Sequence, residues 1–226
     1  MPQRRLDAFS SSIGTKLLIA FSGLCLFAFL ITHLAGNLLF ILGPHAFNEY
    51  SHRLVSNPLI YFAEAGLLAV FLLHVVKTVW VIVSNQRARP ARYAKHTWAK
   101  TKNPRSRKSW ASASMIITGT LILLFVVTHL ATFKFGHYYE TPEGVRDLYR
   151  LQLEVFANPA YVGFYLVCMA VVFTHLWHGL SSAAQSFGID HPTWTPRVLT
   201  AGRVLAVLIA GGFFILPIYT FLIARA

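Results

Sequence analysis

The sequence predicts an all-α integral membrane protein of five transmembrane helices, and three observations carry that prediction. The 226 residues are 55% apolar and 12% charged, with mean hydropathy +0.54, whereas a water-soluble domain carries about a quarter charged residues. The apolar residues fall into five long runs, each of at least the roughly 20 residues that a helix needs to cross a bilayer. The basic residues collect in polar segments between those runs. Such a chain lacks the polar surface to cover its own core in water.

The first run, 13–42, carries Lys16 near its start and is stopped by Gly43-Pro44. It has no small-residue cleavage site behind it, so it reads as a retained span and not as a signal peptide. The second, 58–84, opens at Asn57-Pro58, where proline suits a first helical turn. The third covers 110–133. The fourth, 159–186, opens on Asn158-Pro159, an echo of the second. The fifth, 198–224, contains Pro217, which is expected to kink it. Residues 1–226 thus form a single transmembrane domain with no soluble unit large enough for a flavin, a nucleotide or an iron–sulfur cluster. G-x-G-x-x-G and P-loop motifs are absent. Cys25 and Cys168 both lie inside apolar runs, which suggests neither a disulfide framework nor a thiolate metal site.

The net charge of +12 is unevenly spread. Arg87, Arg89, Arg92, Lys95, Lys100, Lys102, Arg105, Arg107 and Lys108 share the segment 87–108 between two runs. Arg4, Arg5 and Arg197 lie on the same side by alternation. The opposite side has Arg53, Lys134, Arg146, Arg150 and Arg225, offset by Glu49, Glu140, Glu143, Asp147 and Glu154. The positive-inside rule then puts the N-terminus in the cytoplasm and the C-terminus outside. Nucleic acid is not an expected partner, because that role needs a folded platform as well as charge.

Five of the ten histidines fall inside the runs: His33, His74, His129, His175 and His178. Ionisable side chains in hydrocarbon are costly and point to function. Alternating helix direction sorts four of them by depth. His33 and His129 fall in the outer half, His74 and His175 in the inner half, with the levels separated by about 10–18 Å at 1.5 Å rise per residue. Two facing imidazoles at one depth of a helical bundle are how a six-coordinate haem is held. The first four spans are therefore expected to form a haem-binding bundle with two b haems, ligated by His33 and His129 outside and by His74 and His175 inside. Gly36 and Gly179, close to two of these ligands, are candidates for making room for the porphyrin. Zinc, which prefers compact tetrahedral clusters, and a purely structural histidine ladder are the competing readings.

His178 follows His175 by one helical turn, on the same face. Two readings stand open for it, a contact with a haem propionate and an interfacial polar residue. Lys77, placed similarly after His74, reads as a snorkelling side chain. The sequence also echoes itself. Thr32-His33-Leu34-Ala35 recurs as Thr128-His129-Leu130-Ala131, and Thr174-His175-Leu176 is a third instance. An internally duplicated pair of helical hairpins, each giving one outer and one inner ligand, would produce that pattern.

These residues carry a resemblance. Ser11-Ser12-Ile13-Gly14-Thr15-Lys16, then Ser22-Gly23-Leu24, then the run from Thr32 to Leu38 are similar to the five-helix, two-haem cytochrome b membrane subunits of succinate:quinone oxidoreductases, the succinate dehydrogenase and fumarate reductase family. Asn57-Pro58 with Tyr61, Glu64 and His74 extends the match, as does Thr174 through His178-Gly179 to Gln185 and Gly188. The resemblance implies an anchor for a flavoprotein and an iron–sulfur subunit at the cytoplasmic face of the cell inner membrane. It also implies electron flow from inner to outer haem and reduction of a membrane quinone, menaquinone by family habit. Such a chain is the quinone-reactive part of an enzyme and not a complete enzyme alone.

Quinone reduction near the outer face needs protons, and Glu49 and Glu64 are the nearby carboxylates. The segment 87–108 is either a docking surface for the iron–sulfur subunit or a topology signal beside anionic lipid. Two further classes stay open from the residues: a free-standing two-haem transmembrane carrier without soluble partners, and a haem-free transporter or structural anchor.

Overall fold

A computed structural model describes residues 11–87, 110–189 and 191–225. The chain runs through α1 (Ser12–Leu38), extended by a 3₁₀ turn (Leu39–Leu42), then α2 (Pro44–Ser56) and α3 (Leu59–Arg87). Next come α4 (Trp110–His129), extended by a π-helical turn (Leu130–Lys134), α5 (Leu148–Ala157), α6 (Pro159–Ser186) and α7 (Trp194–Ile223). The described residues contain no strand, only an isolated bridge between Glu140 and Arg146. Helices α1, α3, α4, α6 and α7 are long and apolar enough to cross a membrane. The protein is a multi-pass, all-α membrane protein.

The spans lie close to the runs read from sequence, and α7 begins four residues earlier, at Trp194. The helix ends follow from local chemistry. Ser11 caps α1 by accepting from the Gly14 amide at 3.0 Å. The two Asn-Pro pairs act alike: Asn57 Oδ1 accepts from the Leu59 amide and Asn158 Oδ1 from the Ala160 amide, both at 2.9 Å. These bonds satisfy donors that a helix start leaves open. Gly43 at φ 100° turns the chain from the 3₁₀ turn into α2, and Gly188 at φ 75° closes α6, conformations that favour glycine. Pro217 lies within α7, which runs through it unbroken.

The stretches around Glu49 and after Glu140, which fall between the apolar runs, each contain a short helix. Both α2 and α5 are amphipathic. Phe47 and Asn48 of α2, and Leu151, Gln152 and Phe156 of α5, turn inward while the charged residues face out. At 13 and 10 residues they are too short to cross a bilayer. Together they cover one end of the bundle, called distal below; the end holding Ser12, Arg87 and Trp194 is proximal.

The spans are layered around an α1–α6 contact, with α3 on α1 and α4 on α6. The fifth span is no outlier to the four-helix core, because α7 packs on α6 more extensively than any other helix and also reaches α1. Gly212 of α7 lies against the Leu34 side chain and Gly202 against Leu180. At the distal end the fully buried Phe40 stacks on Tyr149 at 4.2 Å and meets Phe47 at 5.5 Å. Asn48 ties the two short helices together. It donates to Asp147 Oδ1 at 2.8 Å and accepts from the Tyr149 amide at 3.0 Å. Gln152 donates to Thr220 Oγ1 at 3.2 Å and so fastens α5 to α7.

The π turn that ends α4 depends on Gly136, where an added Cβ would lie 1.8 Å from the Thr132 carbonyl oxygen. Backbone cannot yield as a flexible side chain does. Gly136→Ala is expected to cost about 1–3 kcal/mol, read as a lower unfolding temperature in detergent. Gly211→Ala, where the new methyl meets nothing within 4 Å, should leave that temperature unchanged or raise it.

Candidate functional site

Four histidines on four spans meet in two places. At the distal level His33 of α1 and His129 of α4 face each other with ring centres 5.9 Å apart and planes perpendicular. At the proximal level His74 of α3 and His175 of α6 lie within electrostatic reach of each other. The separation of the levels follows from α1 and α4. Ser22 touches His74 and stands eleven residues before His33, while Thr118 touches His175 and stands eleven before His129. Eleven residues of helix span roughly 16 Å.

The proximal pair is held through Nδ1. His74 Nδ1 lies 3.2 Å from the Ile19 carbonyl oxygen and 3.1 Å from Ser22 Oγ. A carbonyl only accepts, so Nδ1 carries the hydrogen and Nε2 keeps its lone pair. His175 Nδ1 lies 3.1 Å from Thr118 Oγ1. At the distal level His129 Nδ1 meets Tyr165 Oη at 3.3 Å. His33 instead stacks on Phe29, with centres 5.1 Å apart, and lies near Phe213 at 5.7 Å. Phe125 and Phe133 flank His129, so this level is walled by aromatic rings. His129 also ends α4 as the π turn begins, a distortion often found at functional sites.

This donor set fits a haem. Two imidazoles on opposite faces of one iron, each bonded through nitrogen at about 2 Å, have ring centres roughly 6 Å apart, and the His33–His129 spacing agrees. Metal-bound histidines usually donate their other ring N–H to a neighbour, as His74 does to Ile19. Space beside the proximal ligands comes from glycine. A Cβ on Gly23 would approach His74 Cε1 to 3.2 Å, and one on Gly119 would approach His175 Cε1 to 3.5 Å. Sequence reading had proposed Gly36 and Gly179 for that purpose. Gly36 is instead occupied by Tyr50, whose ring would lie 2.8 Å from an added Cβ. Beside Gly179 an added Cβ would meet nothing within 4 Å. Among the described residues no three His, Cys, Asp or Glu side chains converge on one point.

His178 lies one turn from His175 and within its electrostatic reach. Lys77 reaches along α3 to place Nζ 4.9 Å from the Trp80 ring, a cation–π contact that fits snorkelling. The two carboxylates part company. Glu49 sits on α2 and accepts from Arg53 Nε at 2.7 Å. Glu64 lies inside α3 and is ion-paired with Lys134 at the end of the π turn, so it joins the second span to the third. Residues 88–108 of the basic segment, with Arg4 and Arg5, lie outside the described residues.

The fold and the histidines define a class: a multi-pass helical membrane protein with histidines of four spans at two levels, one pair of them in ring contact. The chain is 28% identical over 170 residues to the succinate dehydrogenase cytochrome b558 subunit of Bacillus subtilis (strain 168), a match covering 75% of each chain. No family model and no solved structure matches it.

Arg53 beside Glu49 holds its carboxyl below the usual carboxylate range. A depressed folded-state pKa adds stability above the unfolded value, and that stability is lost as pH falls through the folded value. Arg53→Gln should therefore move the Glu49 titration midpoint upward, as read by carboxyl carbon NMR shifts, and leave the paired histidines unchanged.

Proposed function

We propose that this chain is the membrane-anchor cytochrome b subunit of a succinate dehydrogenase. In this reading it takes electrons from a flavoprotein and iron–sulfur pair and delivers them to a membrane quinone, menaquinone. Two supports of different kind carry the reading: two imidazole pairs at two depths and the similarity to the Bacillus subtilis cytochrome b558 subunit. His33 and His129 would hold the distal haem b, and His74 and His175 the proximal one. When bound, the two haems supply one-electron carriers at two depths of the bilayer.

The chain's own residues do the rest. Neutral imidazoles offer nitrogen lone pairs without placing a charge in hydrocarbon. Phe29, Phe125, Phe133 and Phe213 keep water from the distal level. His178 would reach a propionate of the proximal haem. The distribution of Lys and Arg favours a cytoplasmic proximal end in the cell inner membrane, an N-terminus inside and a C-terminus outside. The segment 87–108 would then face the iron–sulfur subunit and anionic lipid.

Quinone chemistry would take place at the distal end, with Glu64 or Glu49 relaying protons. Glu64 is favoured, because its carboxylate lies inside a span and bridges to Lys134, whereas Glu49 is engaged with Arg53 on a surface helix. Moving an electron outward through a potential negative inside is favourable by about 2.3 kcal/mol per 100 mV for a full crossing. Protons taken up from the outside would let that potential assist a low-potential quinone.

Variants, copurification and salt dependence test the reading. His74→Ala or His175→Ala should remove one haem component and keep the other, while His178→Ala keeps both. His129→Ala should remove the other component and lower succinate-to-quinone turnover by about tenfold or more. Undiminished turnover in that variant, with the complex assembled, would place the quinone at the proximal haem. Glu64→Gln should depress quinone turnover without changing haem content. Copurification of the flavoprotein separates this reading from a free-standing carrier. If docking is partly electrostatic, neutralising Lys100, Lys102, Arg105 and Arg107 should release that partner more readily as salt rises.

A further inference from the structure

The two proximal histidines sit in matching settings built from corresponding positions of the two hairpins. Ser22-Gly23 precedes His33 as Thr118-Gly119 precedes His129, an offset of 96 residues in both cases. Asn57, Pro58 and His74 recur as Asn158, Pro159 and His175, an offset of 101. In each hairpin a hydroxyl residue of the first span touches Nδ1 of the histidine on the second, at 3.1 Å in both. The glycine that follows lies against Cε1 of the same imidazole.

Both hydroxyls have backbone carbonyls within donating distance. Ser22 donates to the Leu18 carbonyl at 2.7 Å, with Ile19 at 3.1 Å as a second acceptor. Thr118 donates to the Ser114 carbonyl at 3.1 Å, with Met115 at 3.3 Å. A hydroxyl has one hydrogen, and while that hydrogen goes to the carbonyl the oxygen is an acceptor toward the imidazole. It selects the tautomer with hydrogen on Nδ1 and presents Nε2 as the lone-pair donor. Both residues are buried, and water therefore does not compete. The settings differ in one respect. His74 has the Ile19 carbonyl as a second acceptor, whereas among the described residues Thr118 is the one partner of His175 Nδ1.

Resting on the function proposed above, we infer that Ser22 and Thr118 are positioning residues for the proximal haem ligands. They fix the tautomer of His74 and His175 and, by accepting from Nδ1–H, increase the donor strength of Nε2. A more basic axial imidazole favours the oxidised iron, so removing the acceptor raises the midpoint potential. Thr118 carries the larger share, since His74 keeps the Ile19 carbonyl when Ser22 is changed.

The test is a redox titration of the full chain in membranes, followed in the haem absorption bands. The component lost in His74→Ala identifies the proximal haem. Thr118→Val should shift that component upward, so that at a fixed ambient potential its reduced-to-oxidised ratio rises about three- to tenfold. The distal component should stay in place, and Thr118→Ser should restore the original titration. Ser22→Ala should give a smaller shift of the same sign. Loss of the proximal component alone in Thr118→Val, reversed by Thr118→Ser, is the stronger form of the same result. If Thr118→Val loses both components, Ser22→Ala is read alone, and an unshifted potential there overturns the inference. Two haems in the unmodified chain with both variants unshifted overturns this inference and leaves the proposed function standing. No haem in the unmodified chain overturns the proposed function itself.

Discussion

An imidazole inside a bilayer has two ring nitrogens and no water to satisfy them, and much of this structure answers that constraint. In hydrocarbon an unpaired polar group costs several kcal/mol, so each histidine needs a partner for one nitrogen and a use for the other. Backbone and hydroxyl oxygens of α1 and α4 take Nδ1 of His74 and His175, and Tyr165 takes Nδ1 of His129. Pairing the remaining faces at two depths follows. His33 is the exception, steadied by stacking on Phe29 instead of by a strong ring hydrogen bond.

The internal duplication lets a small chain meet that constraint twice. Each hairpin runs from a span through an irregular helical turn, a short surface helix and an Asn-Pro start into the next span. In each hairpin the first span thus supports the histidine on its second. Across the hairpins His33 meets His129, and His175 feels the charge of His74. The distal end is fastened across the same divide by Asn48 and Asp147. The fifth span adds Phe213 to the distal wall and close packing against Leu34.

The spans were legible because a bilayer demands apolar runs of fixed length. The depth sorting of the histidines is an expectation of the same kind, as alternating helices of known rise convert residue number into height. Helices α2 and α5 were not, because short amphipathic stretches with charged outer faces look like loops when only apolar runs are counted. The π turn left no reading of its own, although Gly136 marks where the helix stops. The glycines beside the ligands were sought on the ligands' own helices, which suggested Gly36 and Gly179. Across-helix neighbours cannot be read from spacing alone. The usable signal was the repeated Ser/Thr-Gly pair at a constant distance before each Thr-His-Leu-Ala, at Ser22-Gly23 and Thr118-Gly119. The preference for Glu64 over Glu49 rests on Lys134, a contact between spans that sequence order hides.

The central claim is that the two histidine levels each hold one haem on paired imidazoles. Its most direct measurement is the ratio of haem b to polypeptide in the purified, full-length chain, by pyridine haemochrome absorption against quantitative amino-acid analysis. The account predicts two haems per chain, both low-spin in the oxidised state. A ratio of one, or of none, would contradict it.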